Sequence, residues 1–106
     1  MMKKQMHWVN LIDSCELERG DVTAVEVNGV TYAIYDTVDG IFVSDARCTH
    51  AGANLCDGYF DGKYIECPLH QGLFDARTGA AKSAPAVRAL KMFESRIHHG
   101  KVQIRQ

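Results

Sequence analysis

The sequence predicts a small all-β domain, a sandwich or barrel whose strands are interrupted by two ligand-bearing loops. Three observations carry this. Apolar and polar residues alternate in "VTAVEVNGVTYAIYD" (22–36), the period of two that sends successive side chains to opposite faces of a sheet. Asn28-Gly29 sits inside that stretch, and a two-residue hairpin turn needs positive φ at both central positions, which Asn and Gly tolerate. Finally, "CTH" (48–50) and "CPLH" (67–70) each pair one cysteine with one histidine, in surroundings unlike a strand interior.

The elements follow in order. "DSCELERGD" (13–21) can form a single helical turn, capped by Asp13 or Ser14 and ended by Gly20. Val25 and Val27 belong to the first arm of the Asn28-Gly29 hairpin, and Tyr32 and Ile34 continue the alternation on the return arm. "GIFVSD" (40–45) is a third strand, entered through an Asp39-Gly40 turn. Residues 46–62 read as a loop with Asp57-Gly58 and Asp61-Gly62 turns. "KYIEC" (63–67) is strand-like and ends at the second Cys/His pair. "HQGLFDARTG" (70–79) passes through a short strand to a Thr78-Gly79 turn. The stretch 87–106 reads as two strands joined near His99-Gly100. No repeat or linker divides the chain, so residues 1–106 are expected to form one domain, with the ligand-bearing portion at about 45–86.

Composition excludes several classes of function. The net charge is −1, and no basic run interleaved with aromatics suggests nucleic acid. No stretch nears the roughly 20 apolar residues of a membrane span. "MMKKQMHW" lacks the apolar core of a secretory signal. Charge is nevertheless uneven: residues 1–76 hold 12 acids and 5 bases, whereas 77–106 hold 1 acid and 7 bases. That split marks either a docking surface for a charged partner or two halves whose strands pair and mix their charges.

Cys48, His50, Cys67 and His70 offer two thiolates and two imidazoles. Two metal chemistries use that set. One is a tetrahedral structural zinc. The other is a [2Fe–2S] cluster in which two histidines replace two cysteines on one iron. Zinc fingers of this ligand set pair like with like, whereas here each short segment supplies one of each kind. Two parallel loops can then present both thiolates to one iron and both imidazoles to the other. The Cys-x-His and Cys-x-x-His context argues against a disulfide framework, and so for a reducing, cytoplasmic setting.

At these residues the sequence resembles the Rieske ferredoxin family. The resemblance rests on "CTHAGANL" (48–55) and "CPLHQGLFDARTG" (67–79), with "SAPAV" (83–87) as a third, proline-bearing loop, and it runs from about Trp8 to the last strand. Within the family the chain looks most like the ferredoxin components of bacterial aromatic-ring-hydroxylating dioxygenases. The resemblance implies a Rieske-type β-sandwich or barrel with a cluster-binding subdomain of two loops. It implies one [2Fe–2S] cluster, with Cys48 and Cys67 on the buried iron and His50 and His70 on the outer one. It further implies a monomeric one-electron carrier between a flavin-dependent NAD(P)H reductase and a terminal oxygenase with its own Rieske centre. The carrier would not itself be an enzyme. A Rieske-like small subunit of an assimilatory nitrite reductase and a zinc-stabilised interaction module are the competing readings.

Two departures bear on the reduction potential. The respiratory branch of the family has an extra cysteine in each loop, and the matching positions here are Ala53 and Leu69. That branch also has a Ser and a Tyr donating hydrogen bonds to cluster sulfur, where this chain has Gly72 and Phe74. Such donors stabilise the added electron, so their loss predicts a potential near the low end of the Rieske range, about −150 mV.

Other residues are read more plainly. Gly52 and Gly72 let backbone approach the cluster, while Pro68 and Pro85 stiffen their loops. Gly58 and Gly79 read as ordinary turn residues. Cys56 reads as a small buried thiol and Cys15 as structural or surface. His7 has no partner, and His98-His99 read as a solvated turn. Trp8, Tyr32, Tyr35, Phe42 and Phe93 are expected in the core or half-buried on the sheets. Leu69, Ala51 and Gln71, beside the histidines, are the candidate docking rim.

Overall fold

The structure, a computed structural model, describes residues 7–47, 53–69, 72–83 and 88–106. Ten strands are present among them: β1 (Trp8–Asp13), β2 (Val22–Val27), β3 (Val30–Thr37), β4 (Gly40–Asp45), β5 (Tyr59–Phe60), β6 (Tyr64–Glu66), β7 (Leu73–Asp75), β8 (Met92–Phe93), β9 (Ser95–His98) and β10 (Lys101–Arg105). They form three antiparallel sheets, ordered β1-β10-β9, β2-β3-β4-β8 and β5-β6-β7. The all-β Rieske-type expectation holds. The helical content among the described residues is two three-residue 3₁₀ turns, Ser14–Glu16 and Leu55–Asp57.

The predicted hairpins form for the expected reason. Val27 pairs with Val30 around Asn28 (φ 53°) and Gly29 (φ 80°). His98 pairs with Lys101 around His99 (φ 51°) and Gly100 (φ 75°), the same doubly positive turn, and both histidines are exposed. The β3–β4 reversal differs slightly from expectation. Val38 and Asp39 make the turn, and Gly40 already pairs with Thr37 as the first residue of β4. The Thr37 hydroxyl closes it, donating to the Gly40 carbonyl (2.9 Å) and accepting from the Asp39 N–H (3.1 Å).

One strand was not foreseen and two other readings need correction. β1 pairs with β10 through a register shift between Asn10 and Ile12, so the strand breaks the period of two by which a strand is recognised. β5 lies in the stretch 46–62 read as loop, and is only two residues long. The single turn near residue 14 is 3₁₀, and Asp13 makes no side-chain cap. Its carboxylate instead takes the Lys101 ammonium across the β1–β10 pair.

β3 holds the molecule together. Tyr32 and Ile34 face a core completed by Val43, Val102 and Ile104. Ala33 and Tyr35 face the other way, into a core completed by Ala46, Leu55, Ile65, Cys67, Phe74, Ala76 and Leu90. The strand is therefore buried on both faces over residues 32–35, not alternately exposed as its sequence pattern suggests. The Tyr35 hydroxyl, fully enclosed, is hydrogen-bonded to Ser44 Oγ at 2.8 Å, and its ring lies 5.4 Å from that of Phe60 in β5. The aromatic expectations hold elsewhere: Phe93 meets Tyr32 edge-on at 5.2 Å, and Trp8 is half-buried with the Arg96 guanidinium 4.0 Å over its ring.

The uneven charge is partly mixed by strand pairing. Lys101–Asp13 and Arg77–Asp39 join the basic C-terminal third to the acidic remainder, while Arg105 pairs with Glu94 in its own third.

Tyr35→Phe is expected to lower stability by about 1 kcal/mol, because it removes one buried hydrogen bond while Ser44 Oγ keeps its bond to the Asp45 carbonyl. Urea denaturation compared with the parent protein measures it, and an unchanged midpoint contradicts it.

Candidate metal centre

The described residues that flank the two Cys/His pairs are joined by strand-like hydrogen bonds. In the first, Arg47 and Asn54 form an antiparallel bridge, and the Leu55 N–H donates to the Ala46 carbonyl at 2.7 Å. The Asp45 carboxylate accepts from the Arg47 N–H, and the Asn54 side chain accepts from the Cys56 N–H to cap the 3₁₀ turn that follows (2.9 Å each). In the second, β6 runs into Cys67, whose N–H donates to the Gly72 carbonyl at 2.9 Å, and β7 leaves directly after. The described flanks of the two pairs, Arg47 with Asn54 and Cys67 with Gly72, are thus fixed to each other.

Of the four expected ligands, Cys67 is among the described residues. It is 1% exposed and packs in the core with Leu55, Ile65 and Phe74. Cys48, His50 and His70 lie outside the described residues, as do Ala51, Gly52, Gln71 and Pro85. Pro68 and Leu69 follow Cys67 on the surface, with Leu69 62% exposed, and Gly72 is buried. Ser83, the first residue of the third loop, accepts from the Leu73 N–H through its hydroxyl (3.2 Å), and the Lys82 N–H donates to the Leu73 carbonyl (2.8 Å). The beginning of that loop is therefore pinned to β7, the strand that leaves the second ligand loop.

The donor chemistry fits an iron–sulfur cluster. A cysteine thiolate is a soft ligand of the kind such a cluster takes. Cys56 differs. Burial, reinforced by Asp57 and Asp21, pushes its thiol up to about 11. It is a half-buried thiol packed beside the core, where the sequence suggested a small buried thiol. Cys15 is exposed.

Two glycines correct the sequence reading. A Cβ on Gly58 would lie 1.8 Å from the Glu66 carbonyl oxygen, and one on Gly79 (φ 80°) would lie 2.7 Å from that of Leu90. Both are sites of close backbone packing, more demanding than the ordinary turns expected.

A further feature escaped the sequence reading. Asp75, 5% exposed, accepts from the Arg77 backbone N–H (2.9 Å) and more loosely from its guanidinium (3.4 Å). Arg77 Nη1 then reaches Asp39 Oδ2 at 2.9 Å, on the β3–β4 turn. Burial raises the Asp75 pKa, but the Arg77 N–H and guanidinium outweigh it and hold the carboxyl below its usual range. The spacing of Asp75 and Arg77 was visible in sequence, but Asp39 is distant in the chain and nothing there pointed to it.

The family model for the Rieske [2Fe-2S] domain matches residues 7–94. The ferredoxin component of the naphthalene 1,2-dioxygenase system of Pseudomonas putida is 39% identical over 97 residues, which is 92% of this chain and 93% of that one. A solved ferredoxin of Sphingomonas yanoikuyae B1 superposes with a TM-score of 0.88 at 39% identity, covering 94% of this chain and 99% of its own. A chain of the complex of reduced oxygenase and oxidised ferredoxin in carbazole 1,9a-dioxygenase gives a TM-score of 0.84 at 32% identity, covering 92% and 91%. The protein belongs to the Rieske [2Fe–2S] family, and its cofactor is a Rieske-type [2Fe–2S] cluster. Among the described residues no helix is long and apolar enough to cross a membrane.

Asp75→Asn is expected to destabilise the protein at neutral pH, with the gap closing in acid. A carboxyl depressed by folding contributes fully above its ordinary pKa of about 3.9 and loses that contribution as pH falls through the folded value. Unfolding midpoints of both proteins between pH 7 and about 3 measure it, and a pH-independent gap contradicts it.

Proposed function

We propose that the protein is a cytoplasmic, monomeric one-electron carrier. It takes an electron from a flavin-dependent NAD(P)H reductase and passes it to the Rieske-centre terminal oxygenase of an aromatic-ring-hydroxylating dioxygenase, and is not itself an enzyme. The observation that carries this reading is the pair of base-closed loops with Cys67 buried at the root of one and Leu69 exposed two residues on. Cys48 and Cys67 would hold the inner iron, and His50 and His70 the outer one. Residues 1–106 act as a single domain, with the cluster-binding portion at about 45–86.

The cluster supplies one-electron redox chemistry, and the chain's residues hold and insulate it. Leu55, Ile65 and Phe74 keep water from the Cys67 side, which favours the less charged state of the site. Exchange with partners would then take place at the exposed Leu69, with Ala51 and Gln71 as the other residues expected in a docking rim. A small interface there suits a partner that must leave quickly. Phe74 is fully buried among apolar side chains, and neither its ring nor Gly72 carries a side-chain hydrogen-bond donor.

EPR of the dithionite-reduced protein tests the ligand set. A Rieske spectrum that vanishes in Cys67→Ala and His70→Ala is expected, and a colourless, zinc-loaded protein from iron-supplied anaerobic expression overturns the reading. A large subunit that stays bound through purification would instead favour the reductase-subunit alternative.

A midpoint potential near about −150 mV is expected from the missing donors. Voltammetry measures it, and a value above zero contradicts the argument.

A further inference from the structure

We propose that Gly58 is a positioning residue that sets how closely the two ligand-bearing loops approach each other, and thereby governs how the cluster is gripped. The inference rests on the ligand assignment above. Gly58 ends the 3₁₀ turn Leu55–Asp57, donating its N–H to the Leu55 carbonyl at 3.0 Å. That turn is anchored to the foot of the first loop by the bond from Leu55 to Ala46. On its other side Gly58 meets the second loop. A Cβ would lie 1.8 Å from the Glu66 carbonyl oxygen, 3.0 Å from its carbon and 3.2 Å from Pro68 Cδ. Glu66 and Pro68 are the two neighbours of Cys67.

The demand for glycine here is for space alone. Gly58 has φ −89° and ψ −169°, extended backbone that any residue adopts. The turn glycines Gly20, Gly29, Gly62 and Gly100 are the opposite case, with positive φ and nothing within 4 Å of a Cβ. Nor can the obstacle step aside. It is a backbone carbonyl in the central strand of its sheet, where Glu66 is paired with Tyr59 on one side and Leu73 on the other. A methyl group at 58 must therefore push the first loop's 3₁₀ turn away from the flanks of Cys67 by more than an ångström. Ligand geometry tolerates only about 0.2 Å in metal–ligand distance, and a preorganised site about 0.5 Å.

The test compares Gly58→Ala with Gly62→Ala in the holoprotein. Gly62 (φ 96°) lies in the β5–β6 turn, so its alanine strains the same hairpin without intruding between the loops. Both variants are expected to melt earlier than the parent. Gly58→Ala alone is expected to lose iron to a chelator about tenfold faster or more, with altered EPR g values in the cluster that remains. Parent-like iron and sulfide content, chelation rate and EPR in Gly58→Ala would overturn the inference. If that variant is insoluble, Asn54→Ala loosens the same 3₁₀ turn by removing its cap without adding bulk. Faster chelation than in the parent then supports the inference, and an unchanged rate overturns it. A parent protein without a Rieske spectrum overturns the ligand assignment itself, whereas a Rieske spectrum indifferent to Gly58 overturns this inference alone.

Discussion

The burial of β3 on both faces is the constraint on which the rest of the structure depends. Its even residues, Tyr32 and Ile34, close the core shared with β4 and β10, and its odd residues, Ala33 and Tyr35, close the core of the cluster-bearing sheet. Each large side chain so buried contributes about 1.5–3 kcal/mol of hydrophobic stabilisation. A slip of one residue would exchange Tyr35 and its Ser44 bond for a side chain of the opposite face, so both cores fix one register. The cluster-bearing sheet, with strands of two and three residues, is too small to stand alone and takes its stability from this shared strand.

Around that strand the metal centre is built by closing loops. A flexible loop pays entropy to bring distant ligands together, and hydrogen-bonded feet pay much of it in advance. The Arg47–Asn54 bridge and the Cys67–Gly72 bond supply those feet, and Gly58 lets them stand side by side. Arg77 adds a tie at the far edge, joining Asp75 of β7 to Asp39 of the β3–β4 turn. The cluster-bearing sheet is thereby held to the larger one by packing on one side and a partly buried ion pair on the other.

Much of the fold and site was legible because it depends on local rules. The hairpins at Asn28-Gly29 and His99-Gly100 follow from which residues accept positive φ, and the family resemblance carried by the motifs at 48–55 and 67–79 agrees with the family model. β1 was hidden because a bulge breaks its alternation, and β5 because two residues hold no period to read. Gly58 looked like any Asp-Gly turn because sequence shows which residue lacks a side chain, not what stands opposite it.

By itself the sequence determined the all-β class and the absence of side-chain donors at positions 72 and 74, since each is a property of residue identity or short spacing. Only the tertiary structure decided that β3 serves two cores, that Asp75 is buried against Arg77, and that Gly58 abuts the strand leading to Cys67. Those three depend on which segments the whole fold packs against one another, and residue identity alone does not state that.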